Sequence, residues 1–316
     1  MKKIIKILSL LVIISYYACD DILEEDITDD SIQITYPLEG AVIDGNNVQF
    51  SWQHLDGADD YRVQVLNENQ TIIVDSLVSE NQLTYSIGEG SYQWRVKGEN
   101  FAYETEYTFP VNFSVDISED LTNQSVILST PSDNLYTNNT DITFTWNPVV
   151  NANSYTFEVL KNNNGQTTIY QESEIANTSS NIDSSLFDVD AEYIWKVKAV
   201  NNSSETSYSE RSVYIDRVEP NTPVLNTPND NSINSSLVTF NWSNGTDTGN
   251  IQSSITNTIE IASDINFNTI LLSDDTQNNT YQYTFSSTGD YYWRVKAYDS
   301  AGNESDNSIT RTLTIE

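Results

Sequence analysis

Few side chains in this sequence could do chemistry, and their counts narrow the options at once. There is one histidine, His54, and one cysteine, Cys19. Nucleophilic triads, Cys–His pairs and histidine-based zinc sites all need more than this inventory supplies. His54 follows Trp52 in a stretch that reads as a turn, where an exposed loop residue is expected and not a general base. The 11 glycines are scattered over loops, with no phosphate-cradling cluster. Oxygen ligands are abundant: Asn229-Asp230-Asn231, Asp247 to Asn250 and Asp299 to Asp306 are of the kind that holds calcium. None has the EF-hand spacing, and turn chemistry alone accounts for Asn, Asp and Gly there. No metal site is assigned on this basis and no cofactor is expected; calcium between domains stays open. The last chemistry-bearing pattern is a stretch in which aromatic and basic residues interleave, and it occurs three times.

That stretch reads Tyr92-Gln93-Trp94-Arg95-Val96-Lys97-Gly98, then Tyr193-Ile194-Trp195-Lys196-Val197-Lys198-Ala199, then Tyr291-Tyr292-Trp293-Arg294-Val295-Lys296-Ala297. Large apolar residues at every second position make it a β-strand with one buried face. The aromatics therefore point into a core. The basic residues point outward, where cross-strand pairing can offset acidic neighbours. The tryptophans show the repeat: Trp52, Trp146 and Trp242 lie 94 and 96 residues apart, and Trp94, Trp195 and Trp293 lie 101 and 98 apart. A period near 100 fits an immunoglobulin-sized sandwich and not a propeller blade or helical solenoid.

Each repeat opens on a proline-marked edge, Tyr36-Pro37, Thr130-Pro131 or Thr227-Pro228, as suits a first strand or its lead-in. Alternating strands follow: Val48-x-Phe50-x-Trp52, Ile142-x-Phe144-x-Trp146 and Val238-x-Phe240-x-Trp242. Tyr61 and Tyr155 open the next strand in repeats one and two. Repeat three lacks that tyrosine and carries a longer loop, Ser243 to Thr256, before Ile259-x-Ile261. On these residues the chain resembles tandem fibronectin type III and related bacterial Ig-like domains. The resemblance implies an all-β fold of three β-sandwiches over residues 34–118, 119–217 and 218–316. It also implies that Tyr92, Tyr193 and Tyr291 are tyrosine corners, each hydroxyl tying down the preceding connection. Trp52, Trp94, Trp146, Trp195, Trp242 and Trp293 are expected to form the structural core, two per domain facing each other from opposite sheets in place of a disulfide.

The first residues carry a different signal. Met1-Lys2-Lys3-Ile4-Ile5-Lys6 is a positive start, and Ile7 to Tyr17 is a short apolar run, too short to span a bilayer. The run ends at Ala18-Cys19, which resembles the lipobox of bacterial lipoproteins, although Tyr16 stands where leucine is usual. The resemblance implies a signal peptide over 1–18 and lipidation of Cys19, followed over 19–33 by an acidic linker. The run Asp20 to Asp30 resembles the surface-export signals of some Gram-negative lipoproteins, which implies an outer-membrane, lipid-anchored, surface-exposed protein.

With 46 Asp+Glu against 14 Lys+Arg the net charge is −32, so a nucleic-acid partner is excluded for want of clustered cations. Paired glycosidase carboxylates need a cleft that such domains do not evidently form, and the chain is read as non-enzymatic. Two functions are then expected. The first is a spacer, scaffold or protein-interaction module of the cell envelope, with other envelope proteins as partners. The second is a glycan-binding surface lipoprotein of a polysaccharide-uptake system, its candidate ligand loop marked by Phe101, Tyr103 and Tyr107.

Overall fold

The computed structural model describes residues 24–116 and 118–316; the expected signal peptide, Cys19 and the first residues of the expected acidic linker lie outside the described residues. The described chain is all-β, with 24 strands, eight in each repeat, and two single-turn 3-10 segments, Leu121–Asn123 and Ser184–Leu186.

Repeat one contains β1 (Ile34–Tyr36), β2 (Ala41–Asp44), β3 (Asn47–Trp52), β4 (Asp60–Asn67), β5 (Ile72–Val78), β6 (Gln82–Ser86), β7 (Gly90–Glu99) and β8 (Val111–Asp116). Repeat two contains β9 (Leu128–Thr130), β10 (Leu135–Thr137), β11 (Thr143–Trp146), β12 (Ser154–Asn162), β13 (Gln166–Ile175), β14 (Ser179–Asn181), β15 (Ala191–Val200) and β16 (Ser209–Ile215). Repeat three contains β17 (Val224–Thr227), β18 (Ser232–Asn234), β19 (Leu237–Ser243), β20 (Ile255–Ala262), β21 (Ile270–Thr276), β22 (Thr280–Thr284), β23 (Gly289–Asp299) and β24 (Arg311–Ile315).

The three repeats share one topology. A three-stranded sheet, ordered β1-β3-β6, β9-β11-β14 or β17-β19-β22, faces a five-stranded sheet ordered β2-β8-β7-β4-β5, β10-β16-β15-β12-β13 or β18-β24-β23-β20-β21. The first strand of each repeat changes sheets at its proline. Proline has no N–H to give a ladder, so the chain leaves one sheet there. It then rejoins the other, where β10 and β18 run parallel to β16 and β24. Register repeats as well: Val65, Val159 and Ile261 stand opposite Trp94, Trp195 and Trp293. Strand order and register together are those of the fibronectin type III-like sandwich.

The chain divides into two compact units. One takes in residues through Val42, Gln49–Tyr85 and Gly90–Ser114; the other takes in Ile43–Val48, Ser86–Glu89 and Val115–Glu316. Sandwiches two and three therefore belong to one unit.

All six tryptophans are buried, but their packing differs from a face-to-face pair in each domain. Only Trp52 and Trp94 meet directly, with ring centroids 6.3 Å apart. In sandwich two Phe157 stands between, 6.0 Å from Trp146 and 6.5 Å from Trp195. In sandwich three Trp293 packs on Phe240 at 4.9 Å. In sandwich two the reason is the residue on the central strand: β12 presents Phe157 where β4 presents Val63, each opposite a valine of the Trp-bearing strand. The larger ring fills the gap between the indoles. Tyr193 and Tyr291 donate to the carbonyls of Val189 and Ser287 at 2.9 and 3.0 Å, four residues upstream. Tyr92 is half-buried against Phe113.

Candidate functional site

The outward face of the Trp-bearing strands is saturated. Lys97 pairs with Glu99 and Glu104, Lys196 with Glu158, Lys198 with Glu205, Arg294 with Glu260, and Lys296 with Glu304. Arg95 donates to Gln64 Oε1 and lies over the Tyr107 ring, 4.3 Å from its centroid. Arg294 covers Phe267 in the same way at 4.0 Å. On the same sheet face Arg62, opposite Lys97, holds Glu99 at 2.7 Å; elsewhere Lys161 holds Asp188 and Arg217 holds Asp190. The remaining cations, Arg211 and Arg311, cap backbone carbonyls around the prolines. Arg211 donates to Ser129 and Pro131, and Arg311 to Asn226, Pro228 and Leu225. Repeat one has Val111 at that position in β8, and there the Trp94 indole donates to Pro37 O instead, at 3.1 Å. Every described Lys and Arg thus has a partner within the chain.

The candidate ligand loop is not one cluster. Phe101 is 93% exposed and Tyr103 is 38% exposed, at the turn after β7. Tyr107 lies half-buried under Arg95 and Lys97. Phe101 rims a shallow depression with Asp59, Asp60, Glu99 and Asn100, and Phe109, also 93% exposed, lies further along the same connection. Tyr281 and Tyr283 pack against the core of sandwich three. His54 Nδ1 lies 3.1 Å from the Tyr61 hydroxyl and its Nε2 lies 3.6 Å from Asp56, so its neighbours are a phenol and an exposed carboxylate.

The most unusual constellation lies where sandwich two passes into sandwich three. Asp216 follows β16, Asp247 lies in the loop between β19 and β20, and Asp299 ends β23. One carboxylate oxygen from each lies within 4.8 Å of one from each of the others. Two departures from the repeat pattern build this site. In sandwiches one and two the hydroxyls of Tyr61 and Tyr155 accept from the backbone N–H of Leu55 and Val149, both at 2.9 Å, which ties the loop down. In sandwich three Asn257 takes that place opposite Ala297 and donates to Asn244. The shorter side chain and longer loop let Asp247 reach the junction, where its Oδ2 accepts from Ser253 N–H at 2.6 Å.

The second departure is in the turn after β23. Asn100 and Asn201 begin the equivalent turns of repeats one and two, and their side-chain amides donate to the carbonyls of Glu25 and Glu119 in the incoming chain. Repeat three has Asp299 there, which cannot donate. Asn303 donates instead, to Asp216 O at 3.0 Å and to Asp299 Oδ2 at 2.9 Å. Gly302 turns the chain to deliver it at a φ of 90°, a region that glycine enters without strain. Asn138 closes the junction, its side chain donating to Asn303 Oδ1 and its backbone N–H to Ala301 O, both at 3.1 Å.

Burial first, then the charges of Asp247, Asp299 and Asp190, push the Asp216 carboxyl up to about 6, against one stabilising bond from Val218 N–H. Sequence reading placed Asp247 and Asp299 in oxygen-rich loops but did not single out Asp216. The one signal for it was its place at the end of a strand, directly before the next repeat.

The sequence matches no protein-family model and no curated protein. Among solved structures the chain is similar to the chicken CNTN1 FN1–FN3 domains, at 15% identity over 90% of this chain and 98% of that one, with a TM-score of 0.45. It is also similar to fibronectin(III)-like modules of Clostridium thermocellum CbhA, at 13% identity over 59% and 94% of the two chains, TM-score 0.23. A two-domain fibronectin type III segment of chicken tenascin matches at 12% identity over 58% and 97%, TM-score 0.22. Overlap this loose adds nothing on activity, and the fold stands on the strand order and register described above.

Proposed function

We propose that the chain is a non-enzymatic spacer or protein-interaction module of the cell envelope, carried on the outer membrane of a Gram-negative bacterium by a lipid on Cys19. The observation that supports the spacer reading best is the junction between sandwiches two and three. Its hydrogen bonds from Asn138 and Asn303 cross from one domain to the next, and side chains held on both sides resist bending between them. A spacer needs such junctions, whereas a chain that only tethers does not. The uncompensated acidity keeps neighbouring copies apart. Lipidation, the outer membrane and surface exposure rest on the Ala18-Cys19 motif and the acid-rich run after it. Envelope proteins are the proposed partners.

Labelling intact cells with an antibody to sandwich three tests this reading. The expected result is surface labelling that is lost when Cys19→Ser prevents anchoring. Absence of labelling on intact cells expressing the protein would overturn the surface assignment.

A second reading has its own observation. Phe101 stands fully outside the fold beside the carboxylates of Asp59, Asp60 and Glu99, a combination of ring face and acceptors that suits a sugar. Saturable binding on a glycan array, lost in Phe101→Ala, would replace the spacer by a glycan-binding lipoprotein of a polysaccharide-uptake system.

A further inference from the structure

We propose that Asp216, Asp247 and Asp299 form a calcium site that locks sandwich three onto sandwich two. Three observations converge on it. The first is spacing: a calcium–oxygen distance of about 2.4 Å means that two oxygens on one ion lie at most about 4.8 Å apart, and the three carboxylates meet that limit. The second is unmet demand. Asp216 is 0% exposed, and its Oδ1 accepts from Val218 N–H while Oδ2 has no partner; Oδ1 of Asp247 is buried and equally unpartnered. A buried, unpaired carboxylate oxygen is costly unless a cation meets it. No Lys or Arg does so here, because the nearest in sequence, Arg217, is held by Asp190 at 2.7 Å and by Phe187 O.

The third observation is internal to the chain. The turn position that is Asn100 and Asn201 in the other repeats is a carboxylate only in repeat three, facing Asp216 and Asp247. Neutral asparagine serves the turn twice, so the fold does not require charge at that place.

The chemistry of the donors selects the ion. All are hard oxygens, with no nitrogen or sulfur among them, which suits calcium and disfavours zinc or copper. Carboxylates contributed by both sandwiches make the ion a bridge. Removing it leaves three acidic groups in mutual repulsion, so the junction should loosen in chelator and tighten in calcium.

The experiment uses the full chain, stripped with chelator and titrated with calcium chloride or magnesium chloride at neutral pH, read by calorimetric titration and thermal unfolding. We expect saturable calcium binding at one site. Calcium in about 100-fold excess over its Kd should raise the melting temperature on the order of 5–10 °C. Magnesium should give a smaller shift. Asp299→Asn, which copies the residue of the other repeats, should stay folded and lose calcium affinity at least tenfold. Asp216→Asn is the second variant, since its amide oxygen can still accept from Val218 N–H, and it should behave the same way. No saturable heat and no calcium-dependent melting shift would overturn the proposal. So would binding of unchanged strength in both variants.

Discussion

Replacing Trp195 tests what holds these sandwiches together in the absence of any disulfide. Its ring is fully buried between the sheets of sandwich two, 5.2 Å from Phe144 and 6.5 Å from Phe157. A buried tryptophan removes roughly 200 Å² or more from water, which at about 25 cal/mol per Å² is on the order of 5 kcal/mol. Trp195→Ala keeps a small part of that burial and leaves a cavity that the facing phenylalanines only partly fill, so the loss should be about 3–5 kcal/mol. The expected Trp195→Phe loss is smaller, about 1–2 kcal/mol, because the indole N–H has no protein acceptor and only volume is removed. Trp94 supplies the contrast. Its N–H donates to Pro37 O in a buried bond, so Trp94→Phe should cost about 1–2 kcal/mol more than Trp195→Phe. Urea unfolding of the full chain, with intrinsic fluorescence and far-UV dichroism recorded together, measures these differences. Trp195→Ala within about 1 kcal/mol of wild type would refute the claim that the aromatic core replaces the missing crosslink.

Three other substitutions probe separate parts of the fold. Tyr193→Phe removes the hydroxyl that donates to Val189 O, and unfolding midpoints should report a loss of about 1 kcal/mol. Arg311→Met strips donors from the carbonyls of Leu225, Asn226 and Pro228 and should destabilise sandwich three by about 1–3 kcal/mol, measured by chemical denaturation. The third concerns pH. Arg62 beside Glu99 holds its carboxyl below the usual range, with partial burial opposing and Lys97 assisting. A carboxyl depressed in the folded state adds stability that is present above the unfolded value near 4.5 and is lost as pH falls through the folded one. Glu99→Gln should therefore flatten the acid limb of sandwich one below about pH 4.5 while costing about 1 kcal/mol at neutral pH. An unchanged limb would show that Glu99 contributes nothing to it.

The fold was legible because a period-two pattern states which face of a strand is buried, and three aromatic strands at near-constant spacing state it three times. The prolines marked the first strands for the same local reason. What spacing could not supply was contact between repeats. Asp216 looks like any acid after a strand, and only the parallel pairing of β10 with β16, together with the turn carrying Asn303, brings it against Asp299. The absent tyrosine and long loop of repeat three were visible as departures, but not that they carry Asp247 to the junction. Arg211 and Arg311 were equally opaque: nothing in the local pattern singles them out, and their role in capping the proline carbonyls emerges only from the sheet change. Phe157 shows how a single residue alters packing without altering pattern, since valine and phenylalanine both satisfy the alternation while the phenylalanine ring lies against both indoles of sandwich two.

The central claim is that sandwiches two and three are joined by a stiff junction suited to a spacer. Spin labels at Gln166 and Gln277, both exposed, in a full chain carrying Cys19→Ser, measure it directly by pulsed dipolar spectroscopy with calcium present. A single narrow distance distribution that broadens in Asn303→Ala is the predicted result; a broad distribution in the otherwise native chain would contradict it.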